Sequence, residues 1–380
     1  MLNLLVGNGV NCQFDDKSYS AKQIVLRILK NCDRADFPKH VIVEQPFRLK
    51  DYLGQLFLKS REILQGELDR YTVGSAEKEA LVSFKEKYSA KIKTLRMTDI
   101  CFEDYYLVHD LVCHSLGIGN PDQYYVREAM RMAYLHAIFN DGKLNQLYQN
   151  YPEHFIKFLS SFDNIFSTNY DSNIEMATGK AVLHIHGQFS QLDDVYDEES
   201  LRNHLPDAPL TRIELDRGFD YLYCNAITTH SGSYKEFYIN QAPNANACVE
   251  LMAKAYSEKP EIKSQVDSWT LDENPITRNL GYAVQRKAAN PELHFSYNYH
   301  FEEFENMTGE LNLLGISPWN DFHIFRTIND AQISECTYYY YSEKSCDMIR
   351  RLLPKLDESG KLLFRPATDV WENSYGKAKE

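Results

Sequence analysis

Four short, mainly apolar runs constrain this chain more than anything else in it. They are Leu2 to Val6, Asn164 to Thr168, Val182 to Ile185 and Leu311 to Leu314. Runs of this length, bounded by glycine and small polar residues, read as strands buried on both faces, the kind that build parallel sheets. Each run is followed by polar residues or glycine: Gly7-Asn8-Gly9-Val10-Asn11, Thr168-Asn169-Tyr170-Asp171, His186-Gly187, and Gly315 with Ser317, Asn320 and Asp321. In open α/β sheets ligands bind beyond the carboxyl ends of the strands. Singly, each segment has an ordinary explanation as a tight turn or a satisfied core histidine. Together they predict one shared site.

Between the first and second runs the pattern changes. Leu53, Leu56, Phe57, Ile63 and Leu64, then Leu81, Phe84, Ile92 and Leu95, recur at helical spacing, as do 101–116 and 125–148. This predicts four or five helices over 37–151, inserted as a lid or an oligomerisation block. His109, Cys113 and His114 lie within it among Leu107, Val108, Leu111 and Val112, which predicts packing rather than metal binding. A helix over 21–32 should follow the glycine turn. A second, irregular insertion is expected over 190–309, with an acid-rich solvated loop at 192–220 and a helix near 247–256. Beyond Leu314, a strand is expected at 337–341, a helix at 347–356 and a polar, frayed tail at 374–380. The predicted domain plan is thus a Rossmann-like, mainly parallel α/β domain, 1–36 and 152–380, carrying both insertions.

Bulk properties exclude several functions. The net charge of −13 leaves no basic surplus to neutralise phosphates, so direct nucleic-acid binding is not expected. No apolar run approaches the roughly 20 residues needed to span a bilayer. The apolar start has no basic segment before it, and the eight cysteines are scattered without a Cys-x-x-Cys pair. A cytoplasmic protein without disulfides or structural zinc is the expectation.

The ordered set Gly7-x-Gly9, Thr168-Asn-Tyr-Asp171, His186-Gly187 and the late Gly315-x-Ser317 with Asp321 resembles the sirtuin-like NAD-binding family. It is most similar to the bacterial branch found in anti-phage defence systems, where the domain cleaves NAD. The chain also resembles the sirtuin-like subunit of two-gene systems whose partner is a HerA-type hexameric ATPase. The likeness covers about 60 residues and neither insertion. It departs from the family pattern in having Asn8 and Asn11 within the first motif, Thr168 where deacetylases carry glutamine, and no four-cysteine zinc module. Those departures argue against peptide deacetylation.

The resemblance implies an NAD glycohydrolase that depletes cellular NAD on infection. NAD would be the substrate, with no further cofactor and no metal. His186 would be the general base and Asn169 would fix the ribose hydroxyls or the water. Asp171 would contact the carboxamide or position the sugar. Gly7, Asn8, Gly9, Val10 and Asn11 would cradle the pyrophosphate, Thr168 would also contact the dinucleotide, and Gly315, Ser317 and Asn320 would approach the adenosine half. The residue types suit the reaction, because a neutral leaving group needs no strong acid and histidine titrates near neutrality. A homo-oligomer and the ATPase are the implied partners. The alternative is a non-catalytic NAD- or ADP-ribose-binding regulatory or scaffold subunit. His184, two residues before His186 on the same strand face, raises a two-histidine metal site, for which no third ligand stands at fixed spacing.

Overall fold

The computed structural model describes residues 1–15, 18–39, 41, 45–211, 215–296 and 299–372. The tail expected at 374–380 lies outside them. The protein has a Rossmann-like α/β fold with helical insertions, built on a six-stranded sheet. Its strands are β1 (Leu2–Val6), β2 (Asn164–Ser167), β3 (Leu183–His184), β4 (Thr308–Leu314), β5 (Gln332–Tyr340) and β6 (Leu362–Pro366). All five pairings are parallel, in the order β3-β2-β1-β4-β5-β6. β1 is central, and successive strands are laid down on one side of it and then on the other. That reversal makes the gap between β1 and β4 the switch point at which such sheets bind ligands.

The runs are mainly apolar because both faces of the central strands are covered. Leu4, Leu5 and Val6 are fully buried. Alternate residues leave the sheet on opposite sides. Leu4 and Ile165 join a cluster with Phe155, Leu159 and Ile174, while Phe166 packs edge-on to Phe304. Asn3, also buried, donates to the Thr308 and Glu310 carbonyls and accepts from Asn164.

The helices of the first half are α1 (Gly9–Phe14), α2 (Ala21–Asn31), α3 (Phe47–Leu64), α4 (Gly74–Tyr88), α5 (Asp104–Leu116), α6 (Asp122–Phe139), α7 (Glu153–Ser160) and α8 (Asn173–Thr178). In the second half come α9 (Gly232–Glu258), α10 (Pro260–Trp269), α11 (Pro275–Ala289), α12 (Phe301–Glu305), α13 (Phe322–Asp330), α14 (Glu343–Leu352), α15 (Pro354–Glu358) and α16 (Thr368–Trp371). α2 packs on α6, and α3 on α5. Within this block His109 faces the Tyr52 hydroxyl at 2.6 Å and the Gln123 carbonyl at 3.2 Å, so its ring is engaged in the interior. None of the described helices is long and apolar enough to cross a membrane.

The chain divides into two compact units. The first is Met1–Ile185, Thr228–Lys235 and His300–Glu380; the second is His186–Ile227 and Glu236–Tyr299. The helical block shares the first unit with the sheet, and α9 begins in the first unit and continues in the second. The second unit has small cores around Leu201, Val249, Ala283 and Leu293, and around Ala253, Val266 and Val284.

Several sequence expectations need correction. The acid-rich stretch after Leu192 is not simply solvated: Tyr196, Ser200 and Leu201 are buried, and the Asp194 carboxylate accepts from Ser296 N at 2.6 Å. The helix expected at 247–256 is part of the longer α9. β5 begins at Gln332, five residues earlier than expected, and β6 was not foreseen. The helix expected at 347–356 is two, α14 and α15, separated by Leu353 before Pro354, as the restriction on residues preceding proline favours.

Candidate functional site at the sheet switch point

The strand ends are level. Val6 pairs with Ser167 on one side and Leu314 on the other, and Ser167 pairs with His184. One further backbone bond extends each pairing: Thr168 N to Val6 O, Gly7 N to Leu314 O and Ile185 N to Ser167 O, all at 3.0 Å. The residues that follow therefore leave the sheet together.

At the switch point two turns touch main chain to main chain. Gly9 N donates to Gly315 O at 2.9 Å, and Val10 N to Gly7 O at 3.1 Å. A Cβ on Gly7 would lie 2.7 Å from Gly315 O, and one on Gly9 would lie 2.6 Å from Gly315 Cα. Gly315 itself has φ +70°, the left-handed region that favours glycine. The Gly7-x-Gly9 sequence is thus explained first by the close approach of the β4 turn. The amides of Gly7, Gly9 and Val10 are committed to carbonyls of the chain itself. Asn8 is exposed, and its side chain holds the Tyr19 carbonyl at 2.8 Å.

Asn11 and Asp171, 160 positions apart, are both buried and meet in a hydrogen bond of 2.7 Å. Asp171 also accepts from Asn173, from the backbone N at 3.1 Å and from the side chain at 2.7 Å. Burial pushes the Asp171 carboxyl pKa up from its ordinary value; the Asn11 and Asn173 donors and the nearby His184 work against that rise. With both oxygens engaged, Asp171 organises the site rather than facing outward from it. The Nδ2 of Asn11 must face the carboxylate, which directs its Oδ1 elsewhere; that oxygen is buried without a partner among the described residues.

Asn169 is held differently. Its backbone N donates to Ser167 Oγ at 3.0 Å, and its carbonyl faces His184 Nδ1 at 2.8 Å. Its carboxamide hydrogen-bonds to no other described residue. The main chain is clamped from both ends while the side chain stays unengaged. Thr168, between Val6 and Asn169, is half-buried.

His186 belongs to the second unit, of which it is the first residue. It is buried, and its carbonyl accepts from Ile227 N at 3.0 Å. Gly187, at φ +81°, lies so close to Asn225 that a Cβ would meet its carbonyl oxygen at 2.4 Å. The Asn225 side chain accepts from Gln188 N at 2.9 Å. The His186-Gly187 pair is therefore pinned within that unit.

Beyond Gly315, Ser317 is exposed, with its hydroxyl accepting from Trp319 N at 3.3 Å. Asn320 turns inward: it donates to Glu103 at 2.9 Å and accepts from Lys87. Lys235 bridges Glu103 at 3.0 Å and Asp321 at 2.8 Å, and is itself buried. Burial opposes the Lys235 charge, but the two carboxylates outweigh it and raise its pKa. Burial likewise raises the Glu103 carboxyl, against Lys235. This network fastens the β4 turn to α5 and to the first turn of α9.

Of the expected site residues, the first unit brings together Gly7 to Asn11, Thr168, Asn169, Asp171 and Gly315. Ser317 and Asn320 leave the turn in other directions. Sequence reasoning missed Asn173, Glu175 and the Glu103–Lys235 pair. Only Asn173 had a local signal, standing two residues after an aspartate as in an Asx turn. Comparison with family models, with characterised proteins and with solved structures finds no match.

Proposed function

We propose that the chain is an NAD glycohydrolase of a bacterial anti-phage defence system, of the sirtuin-like kind that its motifs resemble. One observation supports this reading above the others. At the switch point of a fully parallel sheet, a glycine turn, a buried Asn11–Asp171 pair and the unengaged carboxamide of Asn169 stand together. Dinucleotides bind at that place in sheets of this order.

The reaction takes NAD and water to nicotinamide, ADP-ribose and a proton. As the bond from the ribose C1′ to the pyridinium nitrogen breaks, its electron pair goes to nicotinamide and positive charge develops on the sugar. Asn169 directs its carboxamide at a ribose hydroxyl or the attacking water, and His186 accepts the proton released when water adds to C1′. Asp171 acts through Asn11 and through the turn that carries Asn169. Because the glycine amides are taken by Leu314 and Gly315, the pyrophosphate is met by the amides of Asn8 and Asn11. A homo-oligomer, a HerA-type ATPase partner and a cytoplasmic location complete the proposal.

A second reading is favoured by the saturation of Asp171: the chain binds NAD or ADP-ribose without cleaving it. Incubating the purified chain with NAD, alone and with the hexameric ATPase, and separating the products, distinguishes the two. Free nicotinamide with ADP-ribose, lost in Asn169→Ala and in His186→Ala at unchanged melting temperature, is the expected result. Saturable binding of intact NAD selects the second reading. Neither cleavage nor binding in the presence of the ATPase refutes both.

A further inference from the structure

His184 is nearly fully buried, at the end of β3, with a hydrogen-bond partner on each side of its ring. Nδ1 stands 2.8 Å from the carbonyl oxygen of Asn169, and Nε2 stands 2.7 Å from Oε1 of Glu175 on α8. A carbonyl carries no hydrogen, so Nδ1 must donate. An ionised carboxylate only accepts, so Nε2 must donate too. A neutral imidazole has one N–H and cannot satisfy both partners.

We propose that His184 is kept as a doubly protonated imidazolium that fixes the backbone of Asn169, and is thereby the positioning residue for the Asn169 carboxamide. The ionisable groups facing it are Glu175 on α8 and Asp171 between β2 and α8. Burial works against the charge, but the contact with and charge of Glu175, the Asn169 carbonyl and Asp171 together raise the His184 pKa above its ordinary value. The second hold on Asn169, from Ser167 Oγ to its N–H, leaves its peptide restrained at both ends. Losing a ring proton turns one contact into a lone pair pressed against an oxygen less than 3 Å away. Either the Asn169 carbonyl or Glu175 then has to move.

The catalytic half of this proposal rests on the NAD-cleaving reading; the protonation half does not. Glu175→Gln separates them. A glutamine can turn its NH2 toward Nε2, so a neutral ring with Nδ1–H satisfies both neighbours and the charge is no longer needed. Ring ¹⁵N NMR of the full chain is expected to report both nitrogens protonated at pH 7 in the wild type, and a neutral Nδ1–H tautomer in Glu175→Gln. A folded pKa above the ordinary value contributes stability that is complete below about pH 6.5 and is lost as pH rises through the folded value. The melting temperature of the wild type should therefore fall with rising pH across that window, and that of Glu175→Gln should not.

In NAD cleavage, the wild-type rate should fall on an alkaline limb that coincides with the NMR titration, and Glu175→Gln should lack that limb. His184→Ala should lower kcat by about 100-fold with KM little changed, as for a misplaced catalytic group. If His184→Ala does not fold, the glutamine variant still decides. A neutral wild-type ring at pH 7, or a Glu175→Gln pH profile identical to that of the wild type, overturns the proposal. An imidazolium in a chain that leaves NAD intact even with the hexameric ATPase present overturns the proposed reaction and leaves the protonation assignment standing.

Discussion

Replacing Gly9 with alanine tests whether the two turns meet as tightly as described. The added Cβ would lie 2.6 Å from Gly315 Cα and 2.9 Å from Gly315 O, well inside the 3.4 Å at which ordinary contact begins. Both obstacles are main chain, so no side chain can swing away. The bond from Gly9 N to Gly315 O, at 2.9 Å, also resists separation. Forcing atoms into such a contact costs about 1–3 kcal/mol. Gly54 supplies the control. It lies inside α3, and its added Cβ would find only Met97 Cε, at 3.8 Å. Alanine there should stabilise by roughly 0.5–1 kcal/mol, because glycine is the poorer helix former. Urea unfolding followed by circular dichroism should therefore move the two midpoints in opposite directions. The same ordering should appear in melting temperature, at about 2–4 °C per kcal/mol for a unit of 150–250 residues and less for a larger one. A Gly9→Ala chain as stable as the wild type would refute the close packing of the turns, and with it the explanation of the Gly-x-Gly sequence.

Two other substitutions probe the polar interior. Asn11→Leu removes one of three hydrogen bonds to the Asp171 carboxylate and should destabilise by about 1.5–3 kcal/mol, read from urea midpoints. Equal stability would mean that the pair is not formed. Lys235→Met removes a buried cation and leaves the half-buried Glu103 and Asp321 without their shared partner, and should destabilise by about 2–5 kcal/mol at neutral pH. The loss should shrink as acid protonates Glu103, whose carboxyl pKa burial raises; a loss independent of pH would show that packing, not charge, is responsible.

The central strands were legible because burial on both faces favours mainly apolar runs, and Leu2 to Val6 and Leu311 to Leu314 follow that rule, each broken by a single asparagine, Asn3 and Asn312. The sheet margin was not. β6 ends in Arg365-Pro366 and is only half-buried, which is tolerated at an edge where no further strand needs the proline N–H. The start of β5 was hidden for a similar reason: Gln332 and Ser334 are exposed and carry no apolar signal. At the site, the meeting of Gly9 with Gly315 was foreseen as proximity, but not that main-chain bonding would take up the glycine amides. Asp171 and His184 were legible as polar residues near the strand ends. Their protonation and direction were not, because these depend on Asn11, Asn173 and Glu175, and Asn11 approaches from 160 positions away. Nothing local links Glu103 to Lys235, which stand 132 positions apart, one in each expected insertion.

The placement of the first strand carries a consequence for synthesis on the ribosome. β1 is made before both of its neighbours, which begin at Asn164 and Thr308. At ribosomal rates of about 5–20 residues per second, the second of these arrives roughly 15–60 s after β1. Throughout that interval a greasy pentapeptide destined for the very centre of the sheet has one flank or both unpaired. Until β4 has been made, the nascent polypeptide therefore carries an apolar strand with an open edge.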